Sequence, residues 1–294
     1  MSGRAEAEAA CRAAFRAKVA REYAEEFGVF EAAQIDHVAE AWYEADARHD
    51  HRFVELRRRL PEARRILDLA SGMGTAALRA LELGYDVVGV EPDAEKLALA
   101  AARIDAGELP PEWKGRFHRA VGERLPFKDR SFDCVLSYQT LEHVSDPAAL
   151  IAEMLRVTRV GGALHVRCPD YRGTYEGHYR LPWLPMMPRP LARLWLRLNG
   201  RPKRGLEGIG YVTTPGLKRT VAREAARAGL ETRVIDLTRD RFGERLRARG
   251  LPGWRGPAWP WRAFDYARRI FRNEIQVDLW VEVRGDATLT TRER

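Results

Sequence analysis

The sequence predicts an α/β fold built around a parallel β-sheet, and the stretch from Arg64 to Pro92 carries most of the evidence. Two short apolar runs, Ile66-Leu67-Asp68-Leu69 and Val87-Val88-Gly89-Val90, have the length of buried strands. Between them lies a segment in which Leu78 and Leu81 are among the apolar positions of a helix. The stretch is therefore a strand–helix–strand unit of the length that a parallel crossover requires.

The loop after the first predicted strand, Ala70-Ser71-Gly72-Met73-Gly74, suits a nucleotide-like ligand, because small residues allow close backbone approach and the helix behind it begins with free N–H groups. Glu91, at the end of the second strand, can accept two hydrogen bonds from a ribose diol. Asp68 would repel a pyrophosphate and favour an ammonium or sulfonium charge. The stretch also lacks the third glycine of dinucleotide folds and the Gly-Lys-Ser/Thr of a P-loop. S-adenosylmethionine (AdoMet) has both charges and the diol.

The motif Leu67-Asp68-Leu69-Ala70-Ser71-Gly72-Met73-Gly74 resembles the first motif of class I AdoMet-dependent methyltransferases, of the small-molecule type that includes the quinone-biosynthesis O-methyltransferases. The sequence departs from the family at Ala70, usually a glycine, where a Cβ narrows the methionine pocket if the family's backbone is kept. The resemblance covers about residues 62–170, and residues 215–284 by pattern only. It implies a doubly wound, seven-stranded Rossmann-like sheet with strand order 3-2-1-4-5-7-6 and an antiparallel seventh strand.

Composition limits the class of protein. A chain of 294 residues can bury a sizeable core, and we expect one α/β domain with additions. The absence of a long apolar stretch and of an apolar signal segment predicts a cytoplasmic protein. The three cysteines form no Cys-x-x-Cys pair, which argues against a zinc or disulfide framework. The net charge is +8, and residues 171–204, with seven Arg, one Lys and one Glu, carry +7 of it.

The predicted elements divide the chain into four parts. These are an N-terminal helical cap (1–60), an AdoMet-binding core (61–170), a basic aromatic insertion over the acceptor site (171–214) and a part that completes the sheet (215–294), with a second insertion at 239–273. The N-terminal helices either pack on the sheet edge or, as the resemblance suggests, cover the pocket. Its aromatic lining would then be Phe27, Phe30, Trp42 and Tyr43.

Five further strands and four further helices follow from the same patterns. The strands are predicted at 116–121, 132–137, 163–168, 232–237 and 275–283, and the helices at 93–104, 149–157, 189–198 and 215–228. The second insertion contains Trp254, Trp259, Trp261, Phe264 and Tyr266 among arginines, and it could join the first insertion in one aromatic, basic face.

The resemblance implies roles for the cofactor-binding residues. Asp68 and the glycine loop would hold the methionine end and Glu91 the ribose, while the segment beginning at Gly122 would pass under the adenine. The family often has an acid at the position of Val121 to hold the adenine amino group, so here Gly122 and Glu123 could contribute. The expected set is Asp68, Ala70, Ser71, Gly72, Gly74, Glu91, Pro92, Gly122, Glu123, Tyr138 and Gln139.

The turn Leu141-Glu142-His143-Val144 also matches the family, and it lies where open α/β sheets place their chemistry. Two acids and a histidine in this turn are associated with a divalent metal in the quinone enzymes. Here one acid is replaced by Gln139, so we predict no metal. His143 is a candidate general base, because an imidazole with a pKa of about 6.5 can accept a proton from a hydroxyl. The alternative is that it only bonds the turn.

The insertion after residue 170 contains four candidate acceptor-binding residues, Tyr171, Tyr175, His178 and Tyr179. Its helix at 189–198 is amphipathic, with Arg189, Arg193 and Arg197 on one face and Leu191, Leu194, Trp195 and Leu198 on the other. Two interpretations are open: residues 181–204 bind an anionic membrane surface, or the helix packs on its own domain with a solvated basic face. Nucleic acid is a weaker third interpretation, since no RNA-binding module is recognisable.

The function predicted from these features is AdoMet-dependent methyl transfer, by in-line displacement, to a small-molecule or amphiphilic acceptor. A hydroxyl acceptor is favoured, at the membrane surface if the basic insertion binds lipid. A soluble N- or C-methyltransferase stays open. So does a non-catalytic AdoMet-fold binding protein, because Ala70, Val121 and Gln139 depart from the family. The sequence does not define an oligomeric state.

Overall fold

The computed structural model describes residues 2–248, 259–271 and 275–286. Its strands are β1 (Arg65–Leu69), β2 (Asp86–Val90), β3 (Phe117–His118), β4 (Phe132–Tyr138), β5 (Thr158–Pro169), β6 (Tyr175–Glu176), β7 (Leu181–Pro182), β8 (Leu230–Asp236) and β9 (Gln276–Asp286). Seven of them form one sheet in the order β3-β2-β1-β4-β5-β9-β8, and β6 and β7 form a separate hairpin. β9 is antiparallel to both of its neighbours. The predicted fold class, strand order and antiparallel last strand are confirmed.

Helices cover both faces of this sheet, and three of the described α-helices precede its first strand in the chain. They are α1 (Ser2–Glu22), α2 (Ala32–Tyr43), α3 (Val54–Arg59), α4 (Thr75–Glu82), α5 (Ala94–Ala106), α6 (Pro147–Val157), α7 (Arg189–Leu198), α8 (Arg204–Glu207), α9 (Thr214–Arg227), α10 (Leu237–Ala248) and α11 (Trp259–Phe271). A π-helical turn, Tyr23–Phe27, follows α1, and a 3-10 turn, Ala47–Arg52, precedes α3. None of the helices within the described ranges is long and apolar enough to cross a bilayer.

Alternation along the strands explains the two layers of the core. In β1, Leu67 and Leu69 point to one side, where they join a cluster with residues of α6 and α9. Ile66 points to the other side and packs with residues of α3, α4 and the start of α10. The central strands are therefore apolar on both faces, which is why their sequences read as continuous hydrophobic runs.

The structure differs from the predicted boundaries mainly at the edge and at the fifth strand. The predicted strand 116–121 is wrong over most of its length, because only Phe117 and His118 pair with β2 and the chain then turns along the rim of a cleft. β5 begins at Thr158 and runs through Gly161, which has φ +79°, so the register shifts there against β4. β8 ends at Asp236, and α10 begins at once.

The N-terminal helices pack on the core through one salt-bridge network and one apolar cluster. The Lys18 ammonium of α1 lies 2.8 Å from the carboxylates of both Asp93 and Glu95, at the start of α5. Phe15 and Val19 pack with Tyr43 and with Met73 of the glycine loop. The network fixes the π-helical turn over the carboxyl ends of the strands.

The insertion after β5 forms a second apolar cluster with that π-helical turn. Phe27 and Val29 pack there against Tyr179 and Trp183, together with Ala192 and Leu196 of α7. The Trp195 indole N–H donates to the carbonyl of Pro182 at 3.0 Å, which ties the hairpin to the helix. Trp254 of the second insertion lies outside the described residues.

Candidate functional site

A cleft of about 900 Å³ opens at the carboxyl ends of the central strands. The core contributes the glycine loop after β1, the end of β2, the Val121–Glu123 segment and the turn after β4. The N-terminal segment contributes Tyr23, Phe27, Trp42 and Arg52, and the insertion contributes Gly177, His178 and Gly208. The cleft is thus walled by three parts of the chain that are distant in sequence.

Most residues expected to bind the cofactor or the acceptor, or to act in catalysis, line this cleft. They are Ala70, Ser71, Gly72, Glu91, Pro92, Gly122, Glu123, Tyr138, Gln139, His143 and His178. Of the four aromatic residues expected in the cover, Phe27 and Trp42 line the cleft, whereas Phe30 is exposed and Tyr43 is buried in the N-terminal cluster.

Five expected residues lie elsewhere. Asp68 is buried near the loop, and Gly74 caps α4 with φ +80°. Tyr175 pairs in the small hairpin. Tyr171 and Tyr179 are buried in the cluster of the insertion, where the Tyr171 hydroxyl donates to Glu176 and the Tyr179 hydroxyl accepts the Leu206 N–H.

The Glu91 carboxylate joins the glycine loop to the end of β2. Its Oε2 accepts the Gly72 N–H at 2.9 Å and its Oε1 accepts the Asp93 N–H at 3.1 Å. A carboxylate oxygen has two lone pairs, so each oxygen retains acceptor capacity toward the cleft. That is the hydrogen-bonding capacity that a ribose diol needs.

Asp68 is a buried carboxyl close to this loop. Its pKa is raised to about 6, mainly by burial; the Arg52 guanidinium opposes this shift, and the Glu91 charge contributes to it. Within the described residues, its Oδ2 and the hydroxyls of Ser71 and Ser137 are buried and have no hydrogen-bond partner. Because buried polar atoms are costly without partners, these atoms favour a polar ligand such as the amino-acid end of AdoMet.

Arg52 is a residue that the sequence did not single out. Its guanidinium lies 5.0 Å from the Tyr138 ring centroid and lines the cleft, and its Nε is buried without a hydrogen-bond partner in the described part of the chain. A guanidinium in that position can bind a ligand carboxylate. In the sequence it belongs to the basic run that includes Arg57, Arg58 and Arg59, so no local signal marks it.

Two histidines face the cleft from opposite walls. The His178 Nδ1 lies 2.7 Å from the buried carboxylate of Glu176, and the rings of His178 and His143 are 5.1 Å apart. The His143 side chain is 41% exposed, but that exposure is to the interior of the cleft. Burial by the cleft walls, with the nearby charges of His178 and Lys96, lowers the His143 pKa below its ordinary value. His143 is therefore neutral at pH 7.

The two histidines belong to a set of groups of the types that bind divalent metals. Glu142, His143 and His178 each have one ligand atom within 4.8 Å of those of the other two. Gln139, at the position of the missing acid, donates its amide N–H to Gln276 at 2.9 Å. The prediction of a metal-free site stays a prediction.

Comparisons with known proteins agree with this geometry. A protein family described as a methyltransferase domain matches residues 67–166. An uncharacterized methyltransferase of Mycolicibacterium vanbaalenii is 38% identical over 139 residues, 47% of this chain and 52% of that protein. One of Mycobacterium sp. strain KMS is 40% identical over 119 residues, 40% of this chain and 44% of that protein. This chain thus spans about half or less of the length of these relatives.

Solved structures with a similar course of the chain include the cyclase SpnF. It is 21% identical, with a TM-score of 0.48, and the match covers 80% of this chain and 82% of SpnF. A possible histamine N-methyltransferase from Thermotoga maritima is 22% identical, with a TM-score of 0.43 over 67% of this chain and 79% of that protein.

Residues 67–166 thus match a methyltransferase domain, and the order of the strands in the sheet is the one expected from the resemblance of the sequence to the class I type.

We expect Asp68→Asn to raise the free energy of unfolding at pH 7 by about 1–3 kcal/mol, because it removes a carboxylate that burial makes costly to ionise. The native pKa of about 6 exceeds the ordinary 3.8, so the native state binds more protons than the unfolded state between these values. Wild-type stability therefore falls as the pH rises through this window. Urea unfolding at several pH values between about 4 and 7 should show that the variant's free energy of unfolding exceeds that of the wild type by a difference that grows with rising pH. A difference in stability that is independent of pH would contradict the raised pKa assigned to Asp68.

Proposed function

We propose that this protein transfers the methyl group of AdoMet to a hydroxyl of a small or amphiphilic acceptor. One observation carries the proposal. A single cleft brings together the glycine loop, the Glu91 carboxylate and two histidines, under a cover made by the N-terminal turn and the insertion. The family match supports the cofactor and the class of reaction. The acceptor is inferred from the histidines and from the aromatic walls.

The residues around the loop fit AdoMet in four places. Asp68 would hold the ammonium and Arg52 the carboxylate of its amino-acid end, since the two side chains are of opposite charge and electrostatically coupled. Glu91 would accept the ribose hydroxyls, and the backbone at Gly122 and Glu123 would meet the adenine. Bound AdoMet supplies a methyl group on a sulfonium, which is already a good leaving group.

The remaining chemistry belongs to the chain. In-line transfer needs the acceptor oxygen to be held close to the methyl group and shielded from water, and the covered cleft supplies both conditions. A hydroxyl also loses a proton during the reaction. We assign that proton to His143, which is neutral at pH 7 and has the buried Glu142 carboxylate 3.8 Å from its Nε2 to stabilise the cation formed.

The first test is AdoMet binding by isothermal calorimetry. We expect Glu91→Gln and Asp68→Asn each to weaken the affinity by about tenfold or more, because each removes a charge-assisted contact. AdoMet affinity should also rise with pH as Asp68 ionises near pH 6, and this dependence should disappear in Asp68→Asn. Glu112→Gln, at an exposed residue outside the cleft, is the control. Unchanged affinity in both cleft variants would refute the assignment of the cofactor site.

The second test separates the two histidines. His143→Gln should lower kcat about 10²-fold or more with unchanged AdoMet affinity, because the variant cannot accept a proton. His178→Gln should affect mainly the KM for the acceptor. Screening a panel of hydroxyl, amine and carbon acceptors, with and without a chelator, identifies the substrate and checks metal independence. The base assignment fails if His143→Gln retains full kcat. AdoMet binding without turnover on the whole panel would favour the non-catalytic alternative.

We further propose that the protein works at an anionic membrane surface, and the packing of α7 is the observation in favour. Ala192 and Leu196 face the domain and are fully buried. Leu191, Leu194 and Leu198, spaced i, i+3 and i+7, form one stripe and are 41, 51 and 71% exposed. Leu184 and Met186, in the segment tied to α7 through Trp195, are also exposed.

The charges beside this leucine stripe favour an anionic surface as its binding partner. Arg193 and Arg197 flank it, are exposed and make no ion pair with any described residue. An apolar stripe bordered by cations suits the headgroup boundary of an anionic bilayer, where leucines enter the acyl region and guanidinium groups meet lipid charge.

Sedimentation with vesicles tests this surface. The protein should bind vesicles that contain phosphatidylglycerol more strongly than neutral phosphatidylcholine vesicles. Leu198→Asp together with Leu194→Asp should reduce binding about tenfold or more, because two apolar contacts are lost and negative charge is added. Phe30→Asp is the matched control, since Phe30 is also 71% exposed but lies outside the insertion. Equal binding by all three proteins, or none by the wild type, would overturn the membrane proposal. Dimerisation that is lost in the double variant would instead assign the stripe to a second copy.

A further inference from the structure

A second, smaller cavity lies beside the cleft, at the ends of β5 and β9 and against α10 and α11. Its volume is about 200 Å³. Four arginines line it, Arg167 from β5, Arg241 and Arg245 from α10 and Arg268 from α11, together with the Thr238 hydroxyl and the carboxylate of Asp278. Elements from different parts of the chain therefore bring four cations around a space large enough for a small anionic group.

The acids nearby neutralise only part of this charge. Arg241 pairs with Asp278 at 2.9 Å and with Glu55 at 3.3 Å, and Arg268 pairs with Asp265 at 2.8 Å. Arg167 and Arg245 make no ion pair with any residue that the structure describes, and the Nε of Arg167 is buried without a hydrogen-bond partner. Asp278 is itself shared, because its Oδ1 lies 2.9 Å from the Nε2 of His165. The cavity thus has guanidinium groups in excess.

A hydrogen bond joins a residue of the cleft lining to a residue of the cavity lining. Gln139 lines the cleft and Gln276 lines the cavity, and their side-chain amides are joined at 2.9 Å. The backbone connects the two sites as well, because the Gln139 N–H donates to the Arg167 carbonyl at 2.7 Å. A group in the cavity would therefore lie next to an acceptor in the cleft.

We infer that this arginine cavity binds an oxyanion, a phosphate or carboxylate group. Guanidinium groups recognise such oxygens through paired N–H donors, and a bound oxyanion supplies the acceptors that Arg167 and Arg245 lack. The oxyanion is either a free ion or a group carried by the methyl acceptor. The second source rests on the proposed function and would make the acceptor an anionic molecule.

Calorimetry with inorganic phosphate tests the cavity directly, on the 294-residue chain saturated with AdoMet. We expect saturable binding that weakens about tenfold or more in Arg245→Gln and in Arg167→Gln, since each variant removes one cationic donor. Arg219→Gln, at an exposed arginine of α9 outside the cavity, should bind like the wild type. Arg245 is exposed on its helix, so Arg245→Gln remains informative if Arg167→Gln does not fold. No binding by the wild type, or equal binding in Arg245→Gln and Arg219→Gln, would overturn the inference.

A competition arm identifies the source of the oxyanion. Phosphate binding is measured again in the presence of catechol and of 3,4-dihydroxybenzoate, which differ by one carboxylate. Displacement by the carboxylate compound alone shows that the cavity receives a group of the acceptor, whereas phosphate binding that neither compound displaces shows a free-ion site. AdoMet titrations of the same samples distinguish a failure of the proposed cofactor site from a failure of the proposed oxyanion site. AdoMet binding without phosphate binding refutes only the cavity, and phosphate binding without AdoMet binding refutes only the cofactor assignment.

Discussion

The cleft depends on the two hydrogen bonds that the Glu91 carboxylate accepts from the backbone. One fixes Gly72 in the loop and the other fixes Asp93 at the start of α5. Asp93 in turn caps α5 through the Glu95 N–H and binds the ammonium of Lys18 in α1. A single carboxylate therefore sets the loop geometry, provides acceptors for a ligand and, through Asp93, is linked to the helix that carries the cover. These functions cannot be varied independently.

Buried acids give the site its chemical character and reduce its stability. Asp68 has no cation at salt-bridge distance among the residues that the structure describes, and its raised pKa records the cost of ionising it away from water. Glu176 is also buried, but its oxygens accept from the Tyr171 hydroxyl and the Tyr179 N–H and face His178. Glu176 is therefore a well hydrogen-bonded structural anchor for a histidine. Asp68 has fewer partners, and a cationic ligand group would provide the missing one. This contrast is why Asp68 is the more informative residue for ligand binding.

The sequence predicted well those features of the fold and the site that depend on residues close together in the chain, and it predicted poorly those that depend on contacts between distant residues. The sheet order and the loop follow from strand-length apolar runs and a motif of eight residues, and both predictions of fold and class were confirmed. The third strand was overextended, because an edge strand is limited by pairing with β2 and not by its own composition. Arg52 was missed because its position opposite Asp68 and Tyr138 exists only in the folded chain.

The amphipathic pattern of α7 was visible in the sequence, but the pattern could not tell which face of the helix packs against the domain. Small Ala192 fits against the domain and leaves the larger leucine stripe outside.

The basic charge of the insertion shows how far composition can be interpreted. The +7 of residues 171–204 suggested one cationic surface, but in the structure these arginines have different partners. Arg172 pairs with Asp170, Arg189 donates to the carbonyls of Leu206 and Ile209, and Arg201 donates to the carbonyl of Gly28. Arg189 therefore stabilises the insertion itself, whereas Arg172 and Arg201 tie it to the end of β5 and to the N-terminal segment. These three arginines do not contribute free charge to a docking surface. The exposed pair Arg193 and Arg197 borders the leucine stripe instead, while the arginine cavity beside Gln276 draws its cations from other elements. The structure thus has two separate cationic sites, one suited to a surface and one to a single anionic group, and the second is joined to the cleft through Gln276 and Gln139. An acceptor with an anionic end would engage the cavity, whereas the leucine stripe would engage a bilayer.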